Sequence, residues 1–296
     1  DYRYEADIIR ALGRLVDNGY LQKGFKPVHW CLDCASALAE AEVEYHDKTS
    51  PAIDVGFPVV EPSAFREATG VASDRPELVI WTTTPWTLPA NQAVAVHRDL
   101  EYVVLAGDQD GERRELVVAE ELADELSERA GLDGVTKSST FGGAALEHLQ
   151  LQHPFLDRRV PVILGEHVTT EAGTGCVHTA PGHGQDDYVV GQRYGLEVDN
   201  PLQDNGVFRD DLPVIGGFHV KKADNPIMEA LAENGRLVAR AKLEHSYPHC
   251  WRHKTPIVFR ATPQWFIALS SLGQEALKVI DQVQWMPEWG QARIGG

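Results

Sequence analysis

Trp81-Thr82-Thr83-Thr84-Pro85-Trp86-Thr87-Leu88-Pro89-Ala90-Asn91 follows the apolar run Leu78-Val79-Ile80. Apolar and β-branched residues as far as Thr83 spell a strand, and Pro85 ends it. Three successive hydroxyls at that strand end, with Thr87 and Asn91 beyond, are able to line a small cavity with donors and acceptors. A plain strand running into a proline turn accounts for the same residues, so the peptide alone leaves both readings open. Further along, Gly173-Thr174-Gly175-Cys176-Val177-His178-Thr179-Ala180-Pro181-Gly182-His183-Gly184-Gln185-Asp186-Asp187-Tyr188 strings glycines, histidines and carboxylates across a turn. Polar groups at that density cost stability unless they serve a site.

Outward from these two stretches, short β-rich runs recur at Ile53–Val60, Leu78–Thr83, Ala93–Val96, Tyr102–Leu105 and Leu116–Val118, divided by Gly, Pro and Asp. That rhythm predicts a barrel or strongly twisted sheet. Helices are expected at Glu120–Arg129, Gln185–Tyr194 and Pro226–Glu233, which makes the body α/β. Tyr4, Ile8, Leu12, Leu15 and Val16 stand at helical spacing before Gly19 and predict an amphipathic helix with a buried stripe. Leu21 to Tyr45 reads as short extended runs; the pattern of Leu38 to Tyr45 fits helix or strand and is taken as extended.

With 296 residues and 43% hydrophobic content, the chain can build one large core or two modest ones. A net charge of −17 argues against a general nucleic-acid binder, because neutralising phosphates takes clustered Lys and Arg. No apolar run reaches the ~18 residues of a membrane span. Asp1-Tyr2-Arg3-Tyr4 is neither a signal peptide nor a natural start, so the chain is expected to be a piece of a longer protein. Four cysteines in a chain of this length fit a reducing cytoplasm better than a disulfide framework.

Cys31-x-x-Cys34 and Cys250-x-x-His253 have the spacing at which two knuckles present four ligands tetrahedrally, a set that suits zinc. Four protein ligands leave no open position, so such a zinc is structural. Buried reduced cysteines are the competing reading, and Cys176, which lacks a partner, is assigned to the core. His178 to Tyr188 reads as a strand, a Pro-Gly-His-Gly turn and a helix from Gln185. Asp186 and Asp187 fall in its first turn, where the helix dipole favours a carboxylate and lowers its pKa. Capping is the plain role for Asp186, while an ionised Asp187 is equally able to bind an ammonium group. No Gly-x-Ser-x-Gly elbow, P-loop or dinucleotide fingerprint occurs.

The Trp81–Asn91 and Gly173–Tyr188 peptides, with Pro27-Val28-His29-Trp30-Cys31, Leu38–Tyr45 and Tyr247–Phe266, resemble the bacterial isoleucyl-tRNA synthetase family over essentially the whole chain. Valine and leucine enzymes carry Arg where Thr84 stands, so Thr84-Pro85-Trp86-Thr87 is similar to the isoleucine type. The resemblance implies a β-barrel-like editing domain with inserted helices (49–244). It implies flanking segments, 1–48 and 245–296, that form a zinc-knuckle stalk and return to a catalytic domain. The implied activity is hydrolysis of valine from isoleucine tRNA, because one methylene gives limited selectivity, isoleucine against valine being the standard case. On the family pattern Asp187 holds the substrate ammonium. Thr82, Thr83, Thr84 and Thr87 bind the terminal adenosine or aminoacyl group and orient water, Trp81 and His178 shape the pocket, and Asn91 supports them. His183 is a further candidate for substrate contact. The expected partners are the tRNA 3′ end and the remaining synthetase domains, with no membrane. Zinc is structural, the editing chemistry needs no cofactor, and ATP belongs to the full-length parent. The His-x-Gly-His and Lys-Met-Ser-Lys-Ser signatures of adenylate formation are absent, and His253 stands where the family leads one to expect a cysteine. Two alternatives stay open: a non-catalytic, zinc-stapled tRNA-binding module, and a valine-type editor that removes threonine.

Overall fold

The computed structural model describes residues 1–295 and divides into two compact units, Asp1–Phe25 with Thr262–Gly296, and Lys26–Ala261. In the smaller unit the helix Tyr2–Asp17 is capped by the Asp1 carboxylate, which accepts from the Arg3 N–H at 2.9 Å. Its apolar stripe forms as expected but is not buried: Tyr4 is 70%, Ile8 55%, Leu12 47% and Val16 51% exposed. Helical spacing sorts residues onto one face, and only a covering element buries that face. Helices Leu269–Ile280 and Gly290–Gly295 follow in the same unit.

The larger unit is built on a sheet in the order Leu237–Cys250, Val43–Pro58, Pro76–Thr82, Glu112–Ala119, Glu101–Gln109, Asp133–Lys137, with Phe141–Gly142 pairing the fifth. A second sheet runs Gln150–Gln152, Arg159–Leu164, Ala93–Val96, Cys176–Thr179. Both are open, and no closed barrel occurs among the described residues. The α/β class with inserted helices holds, the latter including Ala123–Ala130, Gln185–Tyr194 and Asp224–Glu233. The hairpin of Leu21–Cys31 with Ser36–Ala37 and a single 3₁₀ turn, Glu40–Glu42, precede the long strand. Leu38 to Tyr45 is thus extended only in part. Among the described residues no helix is long and apolar enough to cross a membrane.

Continuous apolar runs explain the central strands. Leu78, Val79 and Ile80 are all fully buried, as are Ala93 to Val96, so both faces of these strands are covered. Ile53, Val55, Phe57, Leu105, Leu116 and Leu126 complete the same interior. Each such side chain contributes on the order of 1.5–3 kcal/mol of burial. Cys176 is buried among them, as assigned.

Register then brings the two polar peptides together. The 3₁₀ turn Pro85–Ala90 returns the chain into Ala93–Val96, which pairs antiparallel with Cys176–Thr179 so that His178 faces Val94. Gln92 N–H donates to Thr179 O at 2.8 Å and extends this pairing to the edge of the hydroxyl peptide.

Candidate functional site

The strand Pro76–Thr82 delivers Trp81 opposite Asp54 and Thr82 opposite Ile53. Beyond it, Pro85 starts the 3₁₀ turn where a missing N–H costs nothing. Thr82 Oγ1 accepts from the Thr84 N–H at 3.1 Å and lies 3.3 Å from Thr84 Oγ1. Thr83 lines a cavity of about 320 Å³ together with Thr84 and Trp86.

A buried hydrogen-bond relay fixes the next residues. Asn91 Nδ2 donates to Ala93 O at 2.8 Å and to His178 Nδ1 at 3.2 Å. His178 Nδ1 is therefore the acceptor and Nε2 carries the proton, which it donates to Thr87 Oγ1 at 2.9 Å. Thr87 Oγ1 in turn donates to Thr84 O at 2.9 Å. Every ring position of His178 is occupied, and burial pushes its pKa down to about 4. This histidine is neutral, and its one free lone pair is taken by the Asn91 amide. Burial holds His153 near 3 in the same way, with Nε2 donating to Leu88 O at 2.9 Å.

His183 differs. Its Nδ1–H donates to Phe259 O at 2.9 Å and its ring meets Trp86 edge-on with centroids 5.1 Å apart, but Nε2 has no partner among the described residues. Burial brings its pKa to about 4, so the imidazole is neutral.

Asp187 sits in the first turn of Gln185–Tyr194, as the spacing required, and folds back to accept from the Ala180 N–H at 2.9 Å. Gly184 leaves the room for this: a Cβ there would lie 2.8 Å from Asp187 Oδ2. The expected lowered pKa is overturned. Burial outweighs both the Ala180 N–H and the helix end, neighbouring Asp186 adds repulsion, and Asp187 rises to about 7. A carboxylate short of counter-charge favours a cationic ligand more strongly than a well-solvated one would.

The Gly-Thr-Gly turn is pinned from three sides. Tyr102 Oη donates to Gly175 O at 2.7 Å, Ala119 N–H to Thr174 O at 2.9 Å, and Arg129 Nη2 to Gly173 O at 3.1 Å. Gly175 has φ +72° and a Cβ there would run into Ala119 Cβ; at Gly173 a Cβ would meet Trp81 Cβ at 3.3 Å. Arg129 also pairs with buried Asp54 at 2.9 Å. Arg129→Leu is expected to cost about 3–5 kcal/mol by leaving Asp54 without its counter-charge. Thermal unfolding checks this; a loss under 1 kcal/mol would remove the role of the pair.

Sequence reading did not single out Asp54, Arg129, Lys48, Asp224 or Tyr247. Asp224 Oδ1 accepts from the Trp86 N–H at 3.2 Å, and Lys48 lies 4.0 Å from the Tyr247 ring centroid. The register of Val43–Pro58 on Leu237–Cys250 brings Lys48 and Tyr247 together, and no local motif signals a pairing so distant in the chain.

Cys31, Cys34, Cys250 and His253 converge, their ligand atoms all within 4.8 Å of one another. Cys34 Sγ lies 3.2 Å from His253 Nδ1 and 3.9 Å from Cys250 Sγ; Cys31 Sγ is 3.7 Å from His253 Nδ1. Tetrahedral Zn–S and Zn–N bonds give edges of roughly 3.5–3.8 Å, so this donor set fits zinc. All four cysteines are free. Burial pushes the Cys31 thiol up; at Cys250 burial is outweighed by the His253 and Arg252 N–H groups, which bring it down to about 7.

Solved structures with a similar architecture include the P. knowlesi cytosolic leucyl-tRNA synthetase editing domain and GlLeuRS-CP1. The first has a TM-score of 0.52 at 12% identity, covering 66% of this chain and 97% of that one. The second has a TM-score of 0.51 at 14% identity, covering 64% and 98%. At such identities the likeness concerns the fold. In sequence the chain is similar to the isoleucine–tRNA ligase of Alcanivorax borkumensis, at 63% identity over 100% of this chain and 32% of that protein. It is also similar to that of Alkalilimnicola ehrlichii, at 58% identity over 99% and 32%. The chain thus spans about a third of the length of the curated relatives it matches. Since the family model for tRNA synthetases class I (I, L, M and V) matches residues 1–296 from end to end, the chain belongs to that family.

Proposed function

We propose that the chain is the editing part of an isoleucine–tRNA ligase, hydrolysing the ester that joins valine to isoleucine tRNA. The observation that carries this reading is the whole-chain similarity to isoleucine–tRNA ligases, at 63% identity in the first case. The geometry supports ester hydrolysis by positioning. An aminoacyl ester is already activated and needs an oriented water and stabilised charge more than a nucleophile. Asp187 holds the α-ammonium. The hydroxyls of Thr82, Thr83 and Thr84 bind the ester end and orient the water. Trp81, Thr87, Asn91 and His178 form the rigid wall that admits valine and excludes isoleucine, and His183 completes it beside Trp86. His178 does not act as a base, both its ring nitrogens being taken.

On this reading 49–244 is the editing body, and 1–48 and 245–296 connect it to the remaining synthetase domains. Cys31, Cys34, Cys250 and His253 hold a structural zinc. Its partner is the tRNA 3′ end, its place is the cytoplasm, and ATP serves only the catalytic domain of the parent. Thr84 in place of Arg favours the isoleucine type over a valine-type editor.

The test is single-turnover deacylation of valine-charged and isoleucine-charged isoleucine tRNA by this chain, at enzyme excess and low salt. Valine should be lost at least ~10-fold faster than isoleucine. Equal rates, or no loss of either by correctly folded protein, would sink the reading; preferential loss from threonine-charged tRNA would support the valine type instead.

A further inference from the structure

At the start of the strand Pro76–Thr82, the end away from Thr82, lies a cavity of about 420 Å³ lined by stretches distant in the chain. Pro58 to Val60 leave the strand Val43–Pro58, and Asp74-Arg75 lead into Pro76–Thr82. Glu112-Arg113-Arg114 open Glu112–Ala119, and Asn234-Gly235-Arg236 join the helix Asp224–Glu233 to Leu237–Cys250. Arg75, Arg113, Arg114 and Arg236 meet three carboxylates there, Asp74, Glu77 and Glu112, in a chain whose net charge is −17. A local cationic excess against so acidic a background suits an anionic ligand.

The centre of this lining is built rather than incidental. Glu77 Oε2 accepts from Arg114 Nη2 at 2.9 Å while Oε1 pairs with Arg236 Nη1 at 3.2 Å, so one carboxylate balances two guanidinium groups. Arg114 Nη1 donates to Gln109 Oε1 at 3.1 Å, and Gln109 is itself held by the Ala130 and Val238 carbonyls. Gly56 makes room for the network, since a Cβ there would run into Glu77 Oε2. The Arg114 side chain is only 9% exposed, yet its Nε has no hydrogen-bond partner among the described residues. Shutting a charged N–H away from water without an acceptor is costly, and a ligand oxygen removes that cost. Arg75 likewise has no ion pair among the described residues, because neighbouring Asp74 faces Arg66 at 3.2 Å. Arg113 is only loosely engaged, 3.7 Å from Asp108.

We propose that this cavity binds a small phosphate monoester. Its phosphate accepts from Arg114 Nε and from the Arg75 and Arg236 guanidinium groups, and its organic part lies against Pro58, Val59 and Pro62. Guanidinium groups match phosphate oxygens, and a tetrahedral phosphate meets donors from several directions where a carboxylate is planar. Free phosphate would leave much of the cavity empty. The site lies at the opposite end of the strand from the hydroxyl peptide and does not rest on the editing reading.

The test is calorimetric titration of the chain with ribose 5-phosphate, inorganic phosphate and ribose at low salt. Ribose 5-phosphate should bind with a Kd below about 1 mM, inorganic phosphate more weakly and ribose not at all. Arg75→Ala should weaken binding about 10-fold with Tm unchanged, one charged hydrogen bond being lost. Arg114→Lys keeps a cation beside Glu77 but removes the Nε–H, and should also weaken binding about 10-fold. In the unaltered chain the NMR resonance of the Arg114 Nε–H should move as ribose 5-phosphate is added. Three results overturn the site: no binding of ribose 5-phosphate, ribose bound as well as its phosphate, or full affinity in both variants. Should Arg114→Lys lower Tm, the resonance decides: a shift on titration supports the site and a stationary signal overturns it.

Discussion

On the proposed editing function, Asp187→Asn is expected to remove hydrolysis of valyl-tRNA and at the same time to stabilise the protein above neutral pH. The amide keeps an oxygen for the Ala180 N–H and changes only the charge. Losing an ion pair to a bound ammonium in a poorly solvated site costs on the order of 3–4 kcal/mol, a fall of roughly 10²–10³-fold in kcat/KM. The stability effect has a definite sign. Because the folded pKa is raised to about 7 from an ordinary 3.8, the protonated carboxyl is the form the fold prefers. Its contribution is complete below about 4 and is lost as the pH climbs through 7. Asn does not ionise, so the variant should match the unaltered protein near pH 4 and exceed it at pH 8 by a few kcal/mol. In the unaltered protein kcat/KM should rise with pH until Asp187 ionises near 7 and fall once the substrate amine, with a pKa of about 8, loses its proton. Activity in Asp187→Asn within threefold of the unaltered protein would reduce Asp187 to a helix-capping residue.

Removing metal from the Cys31, Cys34, Cys250 and His253 cluster should lower Tm by roughly 6–12 °C, the equivalent of about 3 kcal/mol in a chain of this size. Purified protein should carry about one zinc. The knuckle has little else to hold it: its own apolar cluster is small, formed by Cys31, Cys250 and Ile257 with Cys34, Leu38 and Val43 packed against it. The sheet behind it has a large independent core, so chelation is expected to loosen the knuckle without unfolding the body. Cys250→Ser should reproduce the effect of the chelator and abolish its further action. Protein that contains no zinc as purified and whose Tm ignores chelator would overturn the metal assignment.

Much of the fold was legible because burial writes itself into local pattern. Leu78-Val79-Ile80 and Ala93 to Val96 are uninterrupted apolar runs and became strands covered on both faces. Gln185–Tyr194, bracketed by Gly184 and Gly195, became a helix with the expected bounds. The helix Tyr2–Asp17 shows the limit of the same logic: spacing made the stripe, and the larger part of it stands exposed. Its prediction as buried assumed a cover that periodicity does not encode.

The sequence by itself determined the residue types available to the site and their places on local elements. It put three hydroxyls at a strand end, Asp187 in a first helical turn, and two ligand pairs at knuckle spacing. Only tertiary structure decided their chemical states. His178 is fixed by Asn91 and Thr87, which lie on another peptide and meet it through strand pairing. Asp187 owes its raised pKa to everything packed around it, and that packing overrides a helix end whose influence is local. Lys48 meets Tyr247 through the register of two strands far apart in the chain. Backbone propensity acts over a few residues, whereas desolvation and ion pairing depend on what the folded chain brings within several ångströms, so the second cannot be read from the first.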